Sequence, residues 1–550
     1  MMPQLKSTLT RVPSNSHVLS SAIYMNIRTP EKNLYLNLLT FCALGTVCYG
    51  MQMFHVILKG DGWVIFFAPE SQYDILVQVG RYFSRVASII TNDNQLANSL
   101  VYVFWFICIY MLFHLPLLKT KYSSALATAI AASVFLFSPA MIELSVFQIA
   151  LPNRGFGLFV VGLAIFLFAD AERGASKRYW LSSIPLAIAA ASYQPIALMY
   201  PVGIFFTLIA NFQCTRKNLF KGILSCFLGL GLYLISWQLA LKIFNVSMAG
   251  IPDSYNPTSL NDLPISLRLN WFFDLATGFF FQAKGNMPVI SSVIMLVLMV
   301  WGMLFFTRKY SLWLKGIFII GSIIIFVGVV PNLIFLAKGT GSALRPQALL
   351  GMFFLPLLII GGYLGNAFQQ QPQHPEKRLV ISLPHSIYVL LAVFLVLIQS
   401  FQANASVTSR YLAFEKDKAT ASMVLSDIME QAPRRDELNV VVLYEPSVGV
   451  AYMPEMRYYS SPDVMTGITN NNNFDSRLDS IPFLLKLIAP PQVSIMAISV
   501  PLDSPDLANF PIPDPNAMFP WPHSESIFVA EDGQIFIKFG DPKDPKYAAS

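Results

Sequence analysis

The sequence predicts a mainly α-helical polytopic membrane protein of about eleven transmembrane helices, closed by a C-terminal soluble α/β domain. Three observations predict it. Eleven apolar stretches fall between residues 34 and 401. The hydrophobicity then stops, and 402–550 reads as an ordinary soluble chain. Basic residues collect in alternate loops. A lipid-exposed span needs about 17–25 apolar residues as a helix, because unpaired backbone groups in hydrocarbon cost several kcal/mol each.

The expected spans are 34–58, 99–117, 123–142, 155–171, 180–193, 196–210, 220–243, 288–306, 311–333, 347–367 and 382–401. Lys6, Arg11, Arg28 and Lys32 precede the first span. Lys119 and Lys121 follow the second, and Arg173, Lys177 and Arg178 the fourth. Arg216, Lys217 and Lys221 follow the sixth, Arg308 and Lys309 the eighth, Lys377 and Arg378 the tenth. With this count all six sets share one face, which the positive-inside rule makes cytoplasmic. Residues 1–33 are then a cytoplasmic segment, 34–401 the membrane domain and 402–550 a periplasmic domain. Residues 1–33 lack an apolar core, so no cleavable signal peptide is expected and the first span directs insertion. Residues 180–210 are few for two spans, and Tyr193-Gln194-Pro195 interrupts them. One kinked helix is the alternative. Two short helices meeting at that turn keep Arg216 and Lys217 on the basic face.

Two outer loops are long, 59–98 and 245–287. In the first, Ile75, Leu76, Val79, Tyr82, Phe83 and Val86 form a helical stripe, as in a helix lying in the interface plane. In the tail, Tyr411 to Glu430 has helical spacing. Asn439 to Tyr444 and Val493 to Val500 read as buried strands. Ser526 to Val529 and Gln534 to Phe539 flank a hairpin turn at Glu531-Asp532-Gly533, and the Pro-rich 501–522 stretch is expected to cover something.

Composition narrows the function. Hydrophobic residues are 55% and charged residues 12%, with an excess of six basic residues that sits mostly in short loops. That is a topology signal, not a nucleic-acid footprint. The five cysteines (Cys42, Cys48, Cys108, Cys214, Cys226) lie in or near spans with no CxxC pair, and no HExxH, DxD or Gly-rich phosphate loop occurs. No metal or cofactor is therefore expected. Ionisable groups at span ends are the functional candidates. On the outer side these are Asp61, Glu70, Asp74 and Arg81, then Glu143 and Arg154, then Lys338 and Arg345, with Tyr193 and Gln194 at the third turn. Acids and cations on one face suggest a pocket that holds an anion and supplies a base. A carboxylate deprotonates a hydroxyl, and guanidinium groups hold phosphate by paired hydrogen bonds. Each also has a structural reading: a solvated span end for Asp61, the polar side of a surface helix for Glu70 and Asp74, headgroup contact for Arg81, mutual pairing for Glu143 and Arg154.

Several patches resemble one family. They are Gly60-Asp61-Gly62-Trp63 with Gly80-Arg81-Tyr82-Phe83, then Ser192-Tyr193-Gln194-Pro195, Leu344-Arg345-Pro346, Arg410-Tyr411 through Asp417 and Ala421, and Met518-Phe519-Pro520-Trp521-Pro522 with the closing Ile535-Phe536-Ile537-Lys538. In order and spacing the chain resembles the serotype-converting O-antigen glucosyltransferases, the Gtr family with a GT-C-type membrane fold. That family shows two adjacent acids after the first span. Here Gly60 replaces the first, which leaves open whether Asp61 alone is the base or Glu70 or Asp74 shares the role.

The resemblance implies an inner-membrane glycosyltransferase. Its donor would be a polyprenyl-phosphate sugar, most simply undecaprenyl-phosphate glucose, and its acceptor a hydroxyl of O-antigen or a similar glycan on the periplasmic side. Trp63, Arg81, Arg154, Tyr193, Gln194, Lys338 and Arg345 would bind substrate. A small flippase and a polyprenyl-phosphate glucosyltransferase would be functional partners. A transporter or flippase of lipid-linked sugars is the main rival and would show matched broken helices in two halves. An O-antigen polymerase is the next, and a non-catalytic scaffold the last. Reporter fusions test the topology: those after Arg216, Arg308 and Lys377 should read cytoplasmic, and those after Asn404 periplasmic. A cytoplasmic tail would overturn the eleven-span reading.

Overall fold

Apolar helices dominate the computed structural model, which describes residues 34–55, 69–91, 98–145, 151–173, 178–247, 289–326, 349–369, 383–432, 436–444, 481–502 and parts of 504–539. The loop 245–287 falls almost wholly outside the described residues, as do Lys377 and Arg378.

The described helices are α1 (Leu34–Phe54), α2 (Pro69–Gln78), α3 (Phe83–Thr91), α4 (Asn98–Leu118), α5 (Ala125–Leu136), α6 (Pro139–Ser145), α7 (Leu151–Arg173), α8 (Ser183–Ser192), α9 (Gln194–Ala197), α10 (Met199–Ala210), α11 (Arg216–Ile243), α12 (Val289–Phe306), α13 (Leu312–Phe326), α14 (Leu349–Gln369), α15 (Leu383–Gln431) and α16 (Ile481–Ile488). Five of them are long and apolar enough to cross a membrane: α1, α4, α7, α11 and the first half of α15. The described apolar stretches of α5, α10, α12, α13 and α14 are shorter. The chain is an α-helical membrane protein.

Burial separates the helices into two sets. α4 and α7 are central, and most of their apolar surface is inside the protein. They approach closely because Gly162 offers no side chain; a Cβ there would lie 2.9 Å from the Leu112 Cα and 3.1 Å from the Met111 carbonyl oxygen. α1 and α11 are peripheral, and α11 presents Ile223, Phe227, Leu230, Ile235 and Leu239 outward. An outward apolar face needs a hydrocarbon solvent.

Two elements differ from the sequence expectation. The span expected at 123–142 is two helices, α5 and α6, because Pro139 ends the run and Ser138 turns the chain with a 3.0 Å N–H···O bond to Phe135. The surface helix expected in the first loop is also two, α2 and α3, broken at Gly80 with φ of +81°. A single stripe spaced at 3.6 residues conceals that break. In 180–210 the two-helix reading matches what is seen: α8 ends at Tyr193 in extended backbone (φ −166°), and α9 and α10 follow.

The basic loops gather at one end of the bundle. Lys119 after α4 bonds Asp170 of α7, the Asn211 side chain after α10 bonds the Lys119 carbonyl, and Lys221 of α11 bonds Glu172. Tyr193 and Gln194 therefore lie toward the other end. They do not reach it. Gln194 meets Tyr233, and α11 runs ten residues beyond Tyr233 to Ile243, about 15 Å at 1.5 Å per residue.

In the tail, β1 (Glu437–Tyr444), β2 (Ser494–Pro501), β3 (Ile527–Val529) and β4 (Ile535–Phe539) form a sheet of order β2-β1-β4-β3. β1 pairs parallel with β2 and β4, and β3–β4 is an antiparallel hairpin whose turn has Gly533 at φ +90°. One sheet face packs on α16 and on Phe414, Val424, Leu425 and Ile428 of α15. Leu502, Leu507, Phe510 and Ile512 cover the other face, which is what the Pro-rich stretch does. The expected boundary at residue 402 falls inside α15, one continuous helix of 49 residues.

The α4–α7 contact makes a stability prediction. Gly162→Ala should lower the thermal unfolding midpoint in detergent, by the equivalent of roughly 1–3 kcal/mol, because the obstructing atoms are backbone. Gly231→Ala, where nothing lies within 4 Å, should be neutral or slightly stabilising. Equal midpoints for the two variants would refute the close approach.

Candidate functional site

The turn between α2 and α3 enters the bundle. A helix that ends away from water must satisfy its last carbonyl groups. Side chains from other helices do so here. Trp237 Nε1 donates to the Val77 carbonyl (2.8 Å), Gln194 Nε2 to Val79 (2.6 Å) and the Tyr233 hydroxyl to Gly80 (3.2 Å). The Arg81 N–H returns to the Leu76 carbonyl at 2.7 Å and closes the turn. Gly80 is required twice: its φ is left-handed, and a Cβ would overlap the Tyr233 hydroxyl. Tyr82 and Phe83 complete the seat. The Tyr82 hydroxyl pairs with Ser236 at 2.6 Å, and Phe83 stacks on Phe156 at 5.1 Å. Burial of Tyr82 raises its phenol above the ordinary range, with the Ser236 hydrogen bond opposing.

The seated turn delivers Arg81 to Tyr193 and Gln194. Gln194 uses its amide nitrogen on Val79 and on the Tyr233 hydroxyl (3.1 Å), so its oxygen faces Arg81 and accepts from Nε at 3.1 Å. The Arg81 guanidinium carbon lies 4.8 Å from the Tyr193 ring centre. A second guanidinium, Arg154, lies 5.1 Å from the same ring. Arg154 is buried in the first turn of α7 and donates to the Leu144 carbonyl at 3.2 Å. Two cations thus converge on one buried phenol. Among the described residues Arg81 makes no ion pair and only its Nε is engaged by hydrogen bonding, so its two terminal nitrogens could receive an anion.

Neutral polar groups border the pair. The Asn153 amide nitrogen donates to Ser84 Oγ (2.5 Å) and to the Ser192 carbonyl (3.2 Å), and its buried oxygen has no partner. The Trp105 indole packs at Gly155, where a Cβ would stand 3.3 Å from Cδ1, and its buried N–H also has no partner. The open acceptor of Asn153, next to Arg154 in sequence, and the open donor of Trp105, against Gly155 of the same turn, suit a ligand with hydroxyls and an anionic group.

Four of the residues singled out from sequence therefore come together: Arg81, Arg154, Tyr193 and Gln194. Asp74 lies on the exposed side of α2 and is not among them. Glu70 sits at the start of α2 and Glu143 on α6, next to Leu144 whose carbonyl receives Arg154. Asp61, Trp63, Lys338 and Arg345 lie outside the described residues. Among the described residues no group of His, Cys, Asp and Glu could hold a metal. Sequence reasoning missed Tyr233, Trp237, Asn153 and Trp105. Tyr233 and Trp237 carried one signal, an aromatic pair at i, i+4 within a span.

The fold is that of a helical membrane protein in which two guanidinium groups converge on one tyrosine inside the bundle. Residues 50–360 match the family model of glucosyl transferase GtrII, which is more than half of the chain. The chain belongs to that family and is a glycosyltransferase. No curated protein and no solved structure matches it.

The seat of the turn can be tested by rescue. Gly80→Ala should insert normally yet reduce transfer at least about tenfold, because the turn must withdraw from Tyr233. Adding Tyr233→Phe removes the overlapping hydroxyl and should restore part of the loss, the non-additivity expected of groups in contact. Simple additivity would show that the two residues do not meet.

Proposed function

We propose that the protein transfers glucose, or a related hexose, from a polyprenyl-phosphate sugar to a hydroxyl of O-antigen or a similar glycan, at the outer face of a bacterial inner membrane. The observation that carries this reading is the Arg81 guanidinium, held by Gln194 and Tyr193 with its terminal nitrogens open. Its depth, short of the outer end of α11, suits a phosphate that arrives on a lipid. Glycosyl transfer from such a donor builds charge on the leaving phosphate, and fixed cations stabilise that charge without reorganising. Arg81 and Arg154 take that role, with Arg345 and Lys338 of the loop before α14 as further donors. The Trp105 N–H and the Asn153 oxygen hold sugar hydroxyls. A carboxylate activates the acceptor, and inversion at the anomeric carbon is the simplest course. Asp61 is the leading base, with Glu70, Asp74 and Glu143 as alternatives. In this reading eleven segments traverse the membrane, α8 and α10 forming a short pair, and the α/β tail lies on the periplasmic side with the site. A small flippase and a polyprenyl-phosphate glucosyltransferase supply the donor.

The sequence expectation left Arg81 between substrate binding and headgroup contact from a surface helix. Its seat inside the bundle favours the former and makes it the first choice for mutation. With polyprenyl-phosphate glucose and extracted glycan, Arg81→Lys should lower turnover by roughly 10²–10³-fold, with a smaller effect on apparent donor affinity, since an ammonium cannot reproduce the guanidinium fork. Asp61→Asn should lose about 10²–10⁴-fold if it acts as general base. Wild-type turnover in Arg81→Lys would move the phosphate to Arg345 and Lys338. An intact protein that moves lipid-linked sugar across vesicles without transfer would favour the transporter reading.

A further inference from the structure

The face that carries the basic loops treats its cations in two ways. Lys119 and Lys221 are neutralised by Asp170 and Glu172 from the end of α7. Lys121, Arg308 and Lys309, all exposed, have no carboxylate partner among the described residues. They come from two separate loops, yet they share one aromatic floor. The Lys121 Nζ lies 4.9 Å and the Lys309 Nζ 4.7 Å from the ring centre of Phe212, in a third loop. Arg308 lies 4.3 Å from the ring centre of Phe305, which packs edge-on against Tyr122.

The floor is built at a cost. Phe212 ends α10 with φ of +58°, a left-handed conformation that usually falls to glycine. The Gln213 N–H to Leu208 bond (2.8 Å) closes that helix end, and the conformation sets the Phe212 ring between the two lysines. Withdrawal from water, together with the charges of Lys309 and Arg308, lowers the Lys121 ammonium from its ordinary range, as expected where like charges gather without an anion. A second observation points to a ligand. Among the described residues the hydroxyl of Tyr122, a residue only 4% exposed, has no hydrogen-bond partner, and the Tyr122 ring packs edge-on against the Phe305 ring that Arg308 covers.

We propose that this basin binds the phosphate of an anionic phospholipid headgroup. Three cations supply the charge, and the Tyr122 hydroxyl supplies a neutral donor. The source is a lipid because hydrocarbon-facing surface adjoins the basin. Leu312 and Trp313, three and four residues after Lys309, are 86% and 78% exposed, and Phe220 at the start of α11 is 64% exposed. An exposed Trp beside cations marks the headgroup level of a bilayer. The basin lies at the opposite end of the bundle from Arg81 and Tyr193, so it is separate from the glycosyl-transfer site. Its ligand would tie together the loops after α4, α10 and α12.

The test is lipid binding to the purified full chain, read by native mass spectrometry during titration with phosphatidylglycerol or cardiolipin. Phosphatidylethanolamine serves as the zwitterionic comparison. K121Q/R308Q/K309Q should weaken anionic-lipid binding about a hundredfold, at roughly fivefold per basic side chain. R216Q/K217Q/K315Q removes the same charge from neighbouring positions of that face and should bind as wild type. Tyr122→Phe, which changes no charge and so leaves insertion untouched, should weaken binding by a smaller factor. Equal losses in the two triple variants would reduce the effect to general surface potential and overturn the proposal. So would unchanged binding in both K121Q/R308Q/K309Q and Tyr122→Phe. Competition by inorganic phosphate at concentrations near those of the lipid would assign the basin to a soluble anion instead.

Discussion

A short helix that ends inside an apolar layer must find donors for its last carbonyl groups, and the rest of the site follows from how α2 finds them. Trp237, Gln194 and Tyr233 supply the donors. Once the Gln194 nitrogen is committed to Val79, its oxygen has one orientation. That oxygen then holds Arg81 by Nε, and the guanidinium plane is laid against Tyr193. The same hydrogen bonds that make burial of the turn affordable also aim its cation. Preorganisation of this kind needs no contribution from the ligand, and in the proposed transfer that would be its value.

Depth is the second consequence. α8 and α10 are short because Tyr193 leaves the helical region between them. Tyr200, near the start of α10, bonds Ser182 before α8 at 2.5 Å and Ser225 of α11 at 2.9 Å. Their junction stops well short of the Ile243 end of α11. A polar turn there would be intolerable against lipid. It is tolerated because α2, α3, α7 and α11 surround it and answer its polar groups.

That the chain is helical and membrane-embedded was legible, because roughly twenty apolar residues in succession admit few other uses, and five described helices are long and apolar enough to span. The Tyr193 break was legible from Pro195, and the basic face from the loop charges. The α5–α6 division and the seat of Arg81 were not. The stripe from Ile75 to Val86 keeps helical spacing straight through Gly80, so periodicity alone reads one surface helix. What breaks it is a left-handed glycine and donors 115 to 160 residues further along the chain. Trp105 and Asn153 were invisible for a related reason: an unanswered hydrogen bond is a property of three-dimensional surroundings, not of a residue type. The tail patches behave differently again. Trp521 bonds Asp427 of α15 at 2.9 Å and buried Lys538 bonds the Met518 carbonyl at 3.0 Å, so these family-like residues tie the tail to its helix and the closing strand to its Pro-rich cover.

That helix has a mechanical meaning. α15 leaves the bundle without interruption and lends its far end to the core beneath the sheet. The sheet therefore rides on a rigid shaft rather than on a tether. Its compass bearing is geared to the helical phase: one residue added near Asn404 would swing it by about 100° and lift it about 1.5 Å. The tail cannot be regarded as a swivelling appendage; whichever wall it turns toward the bundle is selected by the number of residues between the membrane and Phe414.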